Sequence, residues 1–184
     1  MTPLDIRVIE TDSALSAVGD AWDALFALSA PQQVFQSRLV LRHWAAHYLR
    51  AGARPILITG WRGERLVMLW PLLMRRRYGL DQLGFMGLPI AQFCDVLLVP
   101  GDDDAELLSG GWAAVAGLGA DWMSLDRIRA DSNLLKAGPL PKAIRHRSRH
   151  GVPTYAVILT WVVVAVIVGS TTPSPRTAAP SRSS

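Results

Sequence analysis

The chain has 184 residues, half of them apolar, with a single cysteine and a formal net charge of +4. All fifteen acidic residues but only thirteen of the nineteen basic ones fall within residues 1–141, so that region carries −2 and the remainder +6. The basic excess therefore reads as a membrane-flanking cluster and excludes a nucleic-acid-binding surface, while Cys94, as the lone cysteine, excludes an intrachain disulfide and any multi-cysteine zinc or iron–sulfur site.

Residues 1–141 have the size of one ordinary domain with one core. Their start, Met1-Thr2-Pro3-Leu4-Asp5-Ile6-Arg7, has neither a basic region nor an apolar run of signal-peptide type, which places the domain in the cytoplasm as an expectation. Leu4, Ile6 and Val8 alternate with Asp5, Arg7 and Ile9 and predict a short strand. Asp12 or Ser13 caps a helix through Leu15, Val18, Trp22, Leu25 and Leu28 that Gly19 divides. Ser37 caps a second helix with a broad apolar face of Leu39, Leu41, Trp44, Ala45, Tyr48 and Leu49, ending before Gly52.

Pro55–Trp61 and Leu66–Leu73 are two strand-like runs joined by Arg62-Gly63-Glu64-Arg65, an antiparallel hairpin at which a central sheet begins. Two further apolar runs follow, Leu83–Met86 and Phe93–Val99, punctuated by glycine and proline. Asp102, Asp103 and Asp104 precede a helix through Leu107, Trp112 and Val115, and three carboxylates there suit a helix first turn better than a metal site. Trp122–Ile128 predicts the last strand, and Asp131 or Ser132 starts a short helix through Leu134 and Leu135.

Chemistry-bearing positions are few. His43 and His47 share a helix face, but Trp44 stands where a zinc protease needs its glutamate and no third ligand is marked, so no metal site is assigned. His146 and His150 belong to the basic cluster. Cys94, between Phe93 and Asp95 in an apolar run, reads as a small core residue and not as a nucleophile. Arg75, Arg76 and Arg77 end a strand and are the candidates for phosphate contact, against a solvated turn. Asp95 is the one carboxylate inside an apolar run. A strand alternation that buries Cys94, Val96 and Leu98 turns it to the other face, toward solvent or toward a substrate pocket. No Walker A loop, Gly-x-Ser-x-Gly elbow or Gly-x-Gly-x-x-Gly turn occurs.

The ordered series Trp22-Asp23-Ala24-Leu25, Val34-Phe35-Gln36-Ser37, Gly63-Glu64-Arg65-Leu66-Val67, Trp70-Pro71-Leu72, Leu83-Gly84-Phe85-Met86-Gly87, Cys94-Asp95-Val96-Leu97-Leu98, Asp121-Trp122 and Asp131-Ser132-Asn133-Leu134-Leu135 resembles the first half of GNAT-type acyltransferases of the CelD-like cellulose-biosynthesis group, relatives of FemAB-like transferases. The likeness spans about residues 4–137. It implies an α/β (α+β) fold with a mixed, largely antiparallel sheet and flanking helices. It also implies acyl transfer from a thioester such as acyl-CoA by the complete enzyme, in a second half that holds the coenzyme loop. No Arg/Gln-x-x-Gly-x-Gly/Ala loop between a strand and a helix occurs in residues 1–141. We therefore expect no cofactor to be held by this chain alone, no catalytic residue carries over, and a homo-oligomer or a partner is expected to supply the missing half.

Residues 142–150 form a basic linker, and Gly151 to Pro175 contains no charge. Its centre, Tyr155 to Val168, predicts with its flanks a transmembrane helix over 151–172, followed by a disordered tail at 173–184. Lys142, Arg145, Arg147 and Arg149 on its amino-terminal side predict a single pass through the inner membrane with the domain in the cytoplasm. The stretch Arg147 to Pro153 leading into it is similar to a cytoplasmic loop and helix of amino-acid permeases, as a fusion or frameshift product would be.

Overall fold

The computed structural model describes residues 2–50 and 52–136. The basic linker, the transmembrane helix and the tail expected from the sequence lie outside the described residues, as do His146 and His150. No helix of the described residues is long and apolar enough to cross a membrane.

Strand β1 (Leu4–Ile9) leads to helices α1 (Asp12–Ala17) and α2 (Gly19–Ala27), divided at Val18, one residue before the expected Gly19, which opens α2. The cap of α1 is Thr11, whose hydroxyl accepts the Ala14 N–H at 3.4 Å, one residue before the expected Asp12 or Ser13. A 3-10 segment (Pro31–Gln36) then delivers Ser37, which caps α3 (Arg38–Tyr48) by accepting the Val40 N–H at 3.3 Å. Leu41 and Trp44 are the buried residues of α3.

Strands β2 (Arg54–Arg62) and β3 (Arg65–Arg77) form the hairpin, Arg62 opposite Arg65 across a turn in which Gly63 has φ +63°. A second tight turn through Tyr78 and Gly79, both at positive φ, reverses the chain into β4 (Leu80–Phe85). This strand starts three residues before the expected Leu83, because Asp81 and Gln82 extend the ladder opposite Arg76 and Arg75. Beyond it come β5 (Leu97–Leu98), α4 (Asp104–Gly117), β6 (Trp122–Ser124) and α5 (Asn133–Lys136).

The architecture is a mixed α/β fold whose sheet is largely antiparallel. Its strand order is β1-β2-β3-β4-β6, with β5 paired to β3 off this path. Only the β4–β6 pair is parallel, and α4 makes the return between them. Helix α4 packs on β1, β2 and β3, while α2 packs on β3 and Leu41 of α3 approaches Gly87. Cross-strand partners share a face: Met68, Trp70 and Ile58 turn to α4, where an added Cβ on Gly111 would lie 3.2 Å from Met68 Cε. Both sides of the central hairpin are therefore covered, and Leu66 to Leu72 is buried without interruption. Trp70, fully buried, sits at the centre with Trp112 edge-on at 4.8 Å and Phe85 at 6.5 Å between ring centres.

Two sequence-predicted strands are shorter than expected. Phe93–Val99 contributes only Leu97–Leu98 to the sheet, because the backbone before it is satisfied elsewhere: Arg127 O accepts the Cys94 N–H, and the Asp95 carboxylate accepts the Val96 N–H. Trp122–Ile128 stops at Ser124, where the Ser124 hydroxyl bonds Asp126 and the chain turns through Arg127 at φ +61°.

A buried-edge ion pair ties the start of α4 to the hairpin. Arg62 donates through Nε to Asp102 at 2.9 Å and through Nη2 at 2.8 Å, and it also meets Glu106. The guanidinium holds the Asp102 carboxyl below its ordinary range, against an opposing contribution from burial. A carboxylate depressed in the folded state adds stability above its unfolded pKa of about 3.9 and loses it as pH falls through the folded value. Asp102→Asn is therefore expected to destabilise the protein at pH 7, with the gap to wild type narrowing as pH falls below about 3.9. Urea titrations at neutral and acid pH check this, and an unchanged gap would remove the ion pair as its cause.

Candidate functional site

Asp95 is the carboxylate that the sequence singles out, and the structure makes it the hub of a buried network. It is 8% exposed and accepts five hydrogen bonds. Oδ1 takes the Val96 N–H at 2.8 Å, the Ser132 hydroxyl at 2.5 Å and the Leu134 N–H at 3.2 Å. Oδ2 takes the Asn133 N–H at 2.9 Å and the Gln33 side-chain amide at 3.1 Å. Asn133 Nδ2 and Gln33 Nε2 also reach Val96 O, at 2.9 and 3.3 Å.

The expected alternation fails here because residues 94 to 99 are all buried and those before Leu97 are not in a ladder. Asp95 is thus turned away from solvent and into contacts with Gln33 and residues 132–134. It caps the start of α5 from a distant part of the chain, a role filled at α1, α3 and α4 by the local Thr11, Ser37 and Asp103. Both of its oxygens are engaged by donors of the chain itself. Gln33, Ser132 and Asn133 were not legible as its partners; the only local signal was Ser132-Asn133 as a helix start, and that points to a cap without naming Asp95.

The other sequence candidates separate cleanly. Cys94 is 1% exposed, and burial pushes its thiol up to about 12, the opposite of an activated nucleophile. His43 and His47 are exposed with ring centres 4.6 Å apart, and no group of three metal-ligating side chains occurs among the described residues. Of the three aspartates, Asp102 pairs with Arg62, and Asp103 caps α4 by accepting the N–H groups of Ala105 and Glu106, each at 3.0 Å.

Arg75, Arg76 and Arg77 all lie within β3, exposed, at the end that forms the second hairpin turn. Arg75 donates to Gln82 Oε1 at 2.8 Å, Arg76 stands 3.6 Å from Asp81, and Arg77 lies over the Tyr78 ring at 5.0 Å. All three line a cleft of about 600 Å³ together with Arg50, which the sequence did not connect to them. The walls include Tyr48 and Trp44 of α3, Leu88 and Pro89; Trp44 is locked by its indole N–H on Leu88 O at 3.0 Å.

Comparison of the chain with family models, with curated proteins and with solved structures gives no match.

Proposed function

We propose that the chain is a GNAT-like half of an acyltransferase of the CelD-like group it resembles, held at the cytoplasmic face of the inner membrane through residues 151–172 and without turnover alone. The mixed, largely antiparallel sheet is the kind the resemblance implies. The observation that carries the second half of the reading is the start of α4. Its first N–H groups are taken by Asp103, with Asp102 and Asp104 beside it, so a coenzyme pyrophosphate meets negative charge where it needs free donors. Asp95 is engaged by five donors of the chain itself.

In the complete enzyme the thioester carbon passes from the coenzyme sulfur to an acceptor amine or hydroxyl, and the sulfur leaves as the thiol. Thiol release is therefore the direct readout. The full chain with acetyl-CoA and mixed amine and sugar acceptors is expected to release none above background. A coenzyme-binding half, once joined to it, is expected to confer acceptor-dependent release. Acceptor-dependent release by the chain alone would overturn the reading. A second reading, a membrane-held binding module without any catalytic partner, is favoured by the arginine-lined cleft and predicts that no added half restores transfer.

A further inference from the structure

We infer that the cleft between the end of α3 and the β3–β4 hairpin is a binding site for a phosphate ester that carries an apolar or planar body. Three features set its chemistry. First, basic residues from two segments that are distant in sequence line it, Arg50 from the loop after α3 and Arg75 to Arg77 from β3, of which Arg75 and Arg77 share a strand face with Leu73 while Arg76 alternates to the other. Second, little negative charge answers them. Arg50 and Arg77 have no carboxylate within 4 Å among the described residues, the contact of Arg75 is the neutral Gln82, and only Arg76 has an acidic neighbour, Asp81. In a region of net −2, this is a local concentration of uncompensated positive charge. Guanidinium forks match phosphate oxygens in pairs, which a surface of lysines would not.

Third, the cleft is not only basic. Tyr48, 43% exposed, with Leu88 and Pro89, offers an apolar wall facing the same space, over the fixed edge of Trp44. A volume of about 600 Å³ falls within the range of small-molecule sites and exceeds what a bare phosphate fills. The ligand class that satisfies both halves is an anionic phosphoryl head joined to a flat or aliphatic body. Nucleotides and phospholipid head regions share that chemistry. The site lies at the hairpin end opposite Asp102 and the start of α4, so it is independent of the acyltransferase reading.

The test uses the full chain and three probes in calorimetric titrations: inorganic pyrophosphate, ATP and soluble dihexanoyl phosphatidic acid. ATP or the short-chain lipid is expected to bind saturably and at least tenfold tighter than pyrophosphate, and whichever of the two binds tighter identifies the source. Affinity is expected to weaken as salt is raised. The double variant Arg50→Gln, Arg77→Gln is expected to lose at least tenfold in affinity with an unchanged thermal transition. Arg65→Gln, at the far end of β3, is expected to leave affinity as it is. Pyrophosphate binding as tightly as the organic phosphates would overturn the apolar half of the inference. Absence of saturable binding, or binding retained by the Arg50 and Arg77 double variant and so owed to the basic residues beyond 141, would overturn it whole. Coenzyme A captured through these arginines would vanish in the same variant and would leave thiol release untouched, so failure here and failure of the acyltransferase reading are told apart.

Discussion

Replacing Asp95 by alanine is expected to cost about 3–5 kcal/mol, the range for removing one member of a buried charged network. Five donors would lose the carboxylate at once, the Gln33 amide, the Ser132 hydroxyl and the N–H groups of Val96, Asn133 and Leu134, of which the Gln33 amide keeps Val96 O and the Leu134 N–H keeps the Ser132 hydroxyl. The cavity left by one carboxylate gives water little room to replace them all. Because small domains are stable by only about 5–15 kcal/mol, the loss is a large share of the total. Asp95→Asn keeps the volume but turns an amide N–H₂ toward donors, and about half the cost is expected to remain. Urea denaturation of both variants measures this, and a change under about 1 kcal/mol for Asp95→Ala would show that the carboxylate is not the hub described.

Trp70→Ala is expected to be comparably damaging, about 3–5 kcal/mol, by the cavity it opens at the meeting point of β3, α4 and β4. The indole is fully buried and makes edge contact with Trp112. Its Nε1–H has no partner among the described residues, so Trp70→Phe removes an orphaned donor as well as volume. The phenylalanine variant is expected to recover most of the loss, to within about 1–2 kcal/mol of wild type. Thermal melts separate the two contributions, and a phenylalanine variant as unstable as the alanine one would mean that the indole shape, not its burial, is what matters.

The contrast between these two residues shows how far the sequence could be read. Trp70 lies in an unbroken apolar run, and such a run predicts a strand covered on both faces, which is what β3 is. Caps and turns were legible for the same reason: Ser37 at α3, Gly63 in the hairpin and Gly19 at the start of α2 each act on immediate neighbours. Asp95 was visible as an anomaly, a charge among apolar residues, but its meaning was not. Its partners sit 62 positions before it and 37 to 39 after it, and no local pattern encodes such distances. Period-two alternation does not apply to a segment that is not a strand until Leu97. The arginine cleft divides similarly. Arg75–Arg77 stands out in the sequence, whereas Arg50 joins it only because β2 and β3 carry the two segments to one end of the sheet.

The Asp95 hub also orders the assembly of the domain in time. The three consecutive strands β2, β3 and β4 are linked by two-residue turns, so their ladders close small loops and form at little entropic cost. The hub needs chain from positions 33, 95 and 132 to 134 to meet, and it gains nothing until all three have arrived. Its interactions therefore belong to the last, native-side part of the folding reaction. Weakening them accelerates escape from the native state while leaving the refolding rate nearly as it was. The carboxylate that looked like chemistry thus acts as a latch, governing how long the folded protein persists rather than how quickly it is reached.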